Sequence, residues 1–220
     1  MQAEGTRQQP PAFERATRVF EERGGILHAM EAFRTGIHPV TLYAMRDSGA
    51  LEVLSRGVFR LAGGPPLGYP DLVTVAARIP AGVICLISAL AFHELTTQIP
   101  HQVNVALPRG AAEPRLDHPP IQTYRFSDET FSAGVETHAL DGVRVSVYGP
   151  EKTLADCFKF RNRVGLDTLI EAIRFYRERG DVKVADLMRY ASACRVTKVM
   201  RPYLEAILWN RTACSSTPAR

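Results

Sequence analysis

The sequence predicts an α+β protein, and three features predict it. The N-terminal part carries apolar residues at helical spacing, followed by two short β-prone runs around a turn. The middle of the chain alternates or runs β-branched, as strands do. From Pro150 onward the pattern is helical almost to the end. Helices first, strands next and a helical run last segregate as α+β architecture requires. With 220 residues, 45% hydrophobic and 23% charged, the composition is globular and the length allows one large domain or two small ones.

Taken in order, residues 1–11 are polar with a Pro-Pro pair and no apolar core, so they read as a flexible leader and not a secretory signal. The first block, 12–62, opens with two helices, because Phe13, Ala16 and Phe20 recur at helical spacing and so do Ile26, Met30 and Phe33. Gly36 stops the second helix, being free to adopt positive φ. Pro39 then stands in the first turn of a third helix over 39–48, where its missing N–H costs little. Leu42 and Met45 face inward on that helix, and Gly49 ends it. Residues 50–54 and 58–61 read as a hairpin turning through Ser55-Arg56-Gly57. Three glycines and three prolines within 63–70 cannot continue a helix or a central strand, so this stretch reads as a linker.

The second block spans 71–210. Residues 71–78 fit a helix or a strand, the helix being preferred, and 83–95 reads as a long apolar helix. Strands follow at 102–107, 122–126, 135–139 and 143–148, with Asp141-Gly142 turning the last two. Helices then occupy 151–160, 166–178, 184–193 and 198–208. The end, 211–220, is Ser, Thr and Pro with little to bury and reads as a flexible tail.

Three helices and a two-stranded wing describe a winged helix-turn-helix, followed here by a larger mixed α/β domain ending in a helical run. In such a unit the third helix and its N-terminal end enter a DNA major groove. His38, Thr41, Tyr43 and Arg46 fall on the outward side of 39–48, with Val40 among them. Arg46 suits a guanine edge or a phosphate, and the hydroxyls of Thr41 and Tyr43 suit phosphate oxygens. Arg56 at the wing tip suits a neighbouring backbone or the minor groove. Total charge adds little: 27 basic against 23 acidic residues leave +4, and residues 1–63 hold eight basic and seven acidic residues, +1. So small a charge argues for modest affinity per monomer and for self-association on a repeated DNA site.

Other classes recede. The longest apolar run, 81–92, is ended by His93 and Glu94 and is shorter than the ~20 residues that span a bilayer, so no membrane-spanning helix is expected. Cys85, Cys157, Cys194 and Cys214 form no CxxC pair, which fits reduced thiols in a cytoplasm and no metal site or disulfide. His93-Glu94-Leu95-Thr96-Thr97 begins like a zinc helix, but Thr97 stands where the second histidine belongs. Asp181-Val182-Lys183 matches a nuclease fragment but sits at a helix–helix junction. Ser88 lacks a His and Asp framework and reads as a packed small residue. No catalytic residue, metal or cofactor is expected. One polar stretch remains: Lys152, Asp156, Lys159 and Arg163, at spacings of four, three and four, share one helix face. It reads either as a solvated face or as a basic surface for RNA, DNA or another anionic partner.

With Gly36-Ile37-His38-Pro39, Thr41-Leu42-Tyr43 and Arg56-Gly57-Val58-Phe59-Arg60-Leu61 in this order, the chain resembles the AbiEi antitoxins of type IV toxin–antitoxin systems. The likeness lies in Gly25-Ile26-Leu27, Gly36-Ile37-His38-Pro39, Thr41-Leu42-Tyr43, Gly49-Ala50-Leu51 and Arg56-Gly57-Val58-Phe59-Arg60-Leu61. It continues through 80–90 and Leu95-Thr96-Thr97-Gln98-Ile99-Pro100-His101, resumes at Tyr148-Gly149-Pro150-Glu151-Lys152-Thr153-Leu154, and ends near Arg201-Pro202-Tyr203. The resemblance implies a cytoplasmic protein whose winged helix binds double-stranded operator DNA as a repressor of its own operon. It further implies a second domain that counteracts a nucleotidyltransferase toxin without a stable complex, in abortive infection and phage defence. It places His38, Thr41, Tyr43 and Arg46 on the recognition helix and Arg56 on the wing, and transfers no catalytic residue. The alternatives are a stand-alone winged-helix regulator with no toxin partner and a hydrolase of nucleic acid guided by the winged helix.

Overall fold

A computed structural model describes residues 11–208. It is a mixed α+β protein built around two sheets. The leader and tail expected over 1–10 and 211–220 lie outside the described residues, as does Cys214; Pro11, assigned to the leader, begins the first helix.

Chain contacts divide the molecule into two units. The first runs up to Pro80 and also takes in Pro114–Pro119 and Ala139–Val145. It contains α1 (Pro11–Glu22), β1 (Ile26–His28), α2 (Ala29–Arg34), α3 (Pro39–Asp47), β2 (Leu51–Ser55), β3 (Val58–Leu61) and α4 (Pro70–Arg78). The three strands form an antiparallel sheet in the order β1-β3-β2. α1 and α3 close over it on a core of Phe20, Leu27, Leu42, Met45 and Phe59. A second cluster joins Ile26 and Val58 of the sheet to Val73 of α4, with Leu140 and Val143 packed against it.

β1 corrects the sequence reading, which placed Ile26 on a helix with Met30 and Phe33. Gly24 and Gly25, at φ +83° and +80°, end α1, and Ile26–His28 pair with Val58–Arg60 instead. A three-residue strand is too short to show a period, and its partner lies some thirty residues away, so local spacing carries no trace of it.

The second unit comprises Ala81–Glu113, Pro120–His138 and the chain from Ser146 onward. Its elements are β4 (Val83–Ile84), α5 (Leu86–Phe92), β5 (Val103–Pro108), β6 (Ile121–Phe126), α6 (Asp128–Ser132), most of β7 (Val135–Leu140), the second half of β8 (Val143–Tyr148), α7 (Pro150–Lys159), α8 (Arg161–Val164), α9 (Leu166–Glu178), α10 (Val184–Ala193) and α11 (Thr197–Leu208). The sheet order is β6-β5-β4-β8-β7, with β5/β6 and β4/β8 parallel and β4/β5 antiparallel. Asp141 and Gly142, at φ +48° and +81°, turn the β7–β8 hairpin, as two consecutive positive φ values in a tight hairpin require.

The helix expected over 83–95 is in fact a strand, a kink at Leu86 (φ +47°) and a seven-residue helix. An unbroken apolar run has no period to separate strand from helix. α6 has no counterpart in the sequence reading.

α7 is the pillar of this unit. α5, α9, α10 and α11 all pack on it, and every residue from Glu151 to Phe158 is buried. The core around it includes Leu90, Phe126, Tyr148, Leu154, Phe158, Ile173 and Leu187. Among the described residues no helix is long and apolar enough to cross a membrane.

Candidate nucleic-acid interface

α3 is set by its two ends and its inner face. Pro39 opens it, and His38 caps it: the ring Nδ1 accepts the Val40 N–H at 3.2 Å. That acceptor role puts the proton of the neutral ring on Nε2, so His38 presents an N–H outward. Gly36 at φ +92° makes the turn from α2 possible, and Gly49 at φ +77° ends α3. Leu42 and Met45 are fully buried and anchor the inner face.

The outer face presents Val40, 69% exposed, with Tyr43, Arg46 and Asp47. The Arg46 guanidinium lies 5.0 Å from the Tyr43 ring centroid, and the Tyr43 ring meets Phe59 of β3 edge-on at 6.3 Å. Arg46 Nη2 also lies 2.7 Å from Asp47 Oδ1. Arg46 is therefore preorganised by an aromatic shelf, and its charge is shared with a neighbouring carboxylate. A phosphate or a guanine edge must compete with Asp47 for it.

Thr41 is half-buried and faces a groove of about 320 Å³ shared with Arg15 of α1, Thr35 and His38. Arg15 was missed by the sequence reading. The available signal was its position on the side of α1 away from the buried Ala16 and Phe20. Arg56 is exposed at the tip of the β2–β3 hairpin, beside Gly57 at φ +78°. His38, Thr41, Tyr43 and Arg46 thus occupy one helix and its cap, with Arg56 on the hairpin that follows.

The polar stretch of the second unit is not a single surface, which corrects the sequence reading. Lys152 and Asp156 are fully buried and paired with each other. The Lys152 ammonium lies 4.3 Å from the Tyr148 ring centroid and 4.9 Å from that of Phe126, and Cys194 Sγ donates to Asp156 Oδ1 at 3.1 Å. Burial pushes the Asp156 carboxyl up, against the pull of the Lys152 ammonium. Burial, and after it the Asp156 charge, pushes the Cys194 thiol up to about 12, so it stays an S–H donor. Lys159 and Arg163 are exposed but on different elements, because α7 ends at Lys159 and Arg163 belongs to α8.

The remaining fragments have structural partners. His93 follows the end of α5 and donates from Nε2 to the Tyr148 carbonyl at 2.8 Å. Thr96 and Thr97 donate their hydroxyls to Glu171 at 2.7 and 2.6 Å and hold its carboxyl below the usual range. Ser88 Oγ accepts the Asn104 N–H at 2.9 Å and joins α5 to β5. Asp181 and Lys183 pair with each other at 3.6 Å between α9 and α10. Among the described residues, no three His, Cys, Asp or Glu side chains stand together as a metal site requires.

Residues 14–62 match the family described as transcriptional regulator, AbiEi antitoxin. No curated protein matches the chain. Among solved structures, the crystal structure of the RV2827C protein from Mycobacterium tuberculosis is similar, with a TM-score of 0.58 at 15% identity over 97% of this chain and 84% of that one. That likeness is one of fold.

Proposed function

We propose, on the premise that residues 14–62 are a transcriptional-regulator segment of the AbiEi antitoxin type, that this protein binds operator DNA and represses its own operon. The segment is read as a winged helix-turn-helix: α2 braces α3, and β2–β3 is the wing. α3 enters the major groove, Tyr43 and Arg46 face base edges and phosphates, and Arg56 rests on the neighbouring backbone. The observation that supports this reading is the outer face of α3, where an exposed aromatic–guanidinium pair stands beside a capped helix start inside the matched segment. The second unit is assigned the antitoxin role: it counteracts a nucleotidyltransferase toxin without a stable complex, within a phage-defence operon. No chemical step is assigned to the protein. The net charge of +1 over residues 1–63 favours two copies acting on repeated sites.

Footprinting on the protein's own promoter, with rescue from the toxin measured alongside, tests both halves. Arg46→Ala should weaken specific binding by roughly 1–3 kcal/mol, with relaxed preference at one base pair. If it weakens all sequences alike, Arg46 is a phosphate contact. An equal shift on a single half-site and on the paired site would exclude cooperative self-association. A promoter footprint without toxin rescue would favour a stand-alone regulator.

A further inference from the structure

The second unit holds a cavity of about 980 Å³ where several elements finish together. β5 and β6 run parallel, and the residues that follow their carboxyl ends, Arg109 and Ser127, line it. Ligands of α/β sheets commonly sit outside the carboxyl ends of parallel strands. The Arg109 N–H donates to the Phe126 carbonyl at 2.9 Å and ties the two strand ends side by side. Lys159, the last residue of α7, and Arg189 and Arg195, on and just after α10, complete the wall.

These four cations face a single lining carboxylate, Glu129. Arg189 pairs with Asp186 at 2.8 Å. Arg109, Lys159 and Arg195 have no acidic partner among the described residues. Gathering unpaired cations in a concavity works against the fold and concentrates anions. Helix-end electrostatics accounts for Lys159 and Arg195 at the C-termini of α7 and α10, but not for Arg109. Arg195 also takes φ +58°, just past the end of α10, a place that glycine fills more cheaply.

The Ser127 and Thr130 hydroxyls also line the cavity, 2.9 Å apart and bonded to each other, so at most one of their two protons is left for a ligand. Its aromatic neighbours are already covered. The Lys159 ammonium lies over the Phe126 and Phe160 rings, and Arg189 lies over Tyr190. Bases of single-stranded nucleic acid need open aromatic faces on which to stack. The site is therefore chemically equipped for phosphate and not for base, and its volume is that of a small-molecule site.

We propose that this cavity binds a polyphosphorylated small molecule, a nucleotide held through its triphosphate tail by Arg109, Lys159 and Arg195 without selection for the base. The proposal concerns the second unit and stands apart from operator binding.

Calorimetry on the full chain at 0.15 M salt tests it, using inorganic tripolyphosphate, the four ribonucleoside triphosphates, adenosine and an oligothymidylate as probes. Tripolyphosphate and all four triphosphates should bind one shared site within several-fold of each other, and adenosine should not bind. Arg195→Gly should weaken tripolyphosphate by about tenfold or more, since it removes a charged hydrogen-bond donor while relieving the backbone at that position. Lys159→Gln should do the same, and both variants should footprint the promoter as the parent does. Failure of tripolyphosphate to bind at millimolar concentration would overturn the proposal. So would unchanged affinity in both variants, or binding by the oligonucleotide alone.

Discussion

His28 illustrates how one side chain can tie stability to pH. Its Nδ1 lies 3.2 Å from the Met30 N–H at the start of α2 and its Nε2 lies 2.9 Å from the Arg78 guanidinium, and the neutral ring, with one acceptor nitrogen, accepts from one or the other while the charged ring accepts from neither. Burial, and then Arg78, lowers its pKa from the ordinary 6.5. A lowered folded value means that its contribution is present above pH 6.5 and is lost as pH falls through the folded value. His28→Asn keeps a capping oxygen but loses the Arg78 contact. The stability gap between parent and variant, read by urea unfolding, should narrow from pH 7.5 to pH 5; a gap that widens on acidification would contradict this. Deeper in the molecule, Lys152 depends on Asp156 for its charge balance. Asp156→Asn leaves a buried ammonium unpaired and should cost about 3–5 kcal/mol in urea unfolding. Adding Lys152→Met should recover most of the loss, because no buried charge then remains.

Among the elements, the β7–β8 turn shows why two glycines are needed where one would satisfy φ. Gly142 at φ +81° lies so near the Gly24 backbone that a β-carbon on either would strike the other. Gly63, at φ +77°, has nothing within 4 Å of such a carbon. Gly63→Ala should therefore cost about 1–2 kcal/mol, the left-handed penalty alone. Gly142→Ala should cost distinctly more, and equal losses in thermal unfolding would show that the close approach carries no weight. The same turn is held by its aspartate: Asp141 accepts the Gly68 N–H at 3.1 Å. The 63–70 stretch, read as a linker from its composition, thus has two backbone amides, of Gly68 and Tyr69, fixed by a side chain more than 70 residues away.

Over the whole molecule, charge is small in sum and uneven in placement. Net +4 over 220 residues predicts little, and the exposed cations assigned to the proposed DNA-facing side are Arg15, Arg46 and Arg56, with Arg46 shared with Asp47. With about three phosphates neutralised per protomer, log Kobs for operator binding should fall against log salt with a slope of about −3. A slope twice as steep per protomer would mean that the cations of the second unit also reach the DNA. The cavity of the second unit gathers Arg109, Lys159, Arg189 and Arg195 from three separate stretches of chain, a concentration that the net charge conceals.

Where the determining signals are local, the sequence was sufficient. Pro39 and Gly49 delimit α3, Leu42 and Met45 mark its inner face, and Asp141-Gly142 names its hairpin; each acts through φ, a missing N–H or a spacing of three or four residues. His38, Thr41, Tyr43 and Arg46 could be placed on one element for the same reason. Tertiary structure decided what depends on distant partners. It made Ile26–His28 a strand by pairing it with β3, and it broke the 83–95 run into strand and helix. It also turned the polar face of α7 inward: Lys152 and Asp156 look solvated by spacing, but α10 packs over α7 and Cys194, just past α10, donates to Asp156, while Tyr176 of α9 donates to the equally buried Glu151. A polar stripe on a helix fixes only that its groups need partners, and whether water or protein provides them is settled by what packs alongside.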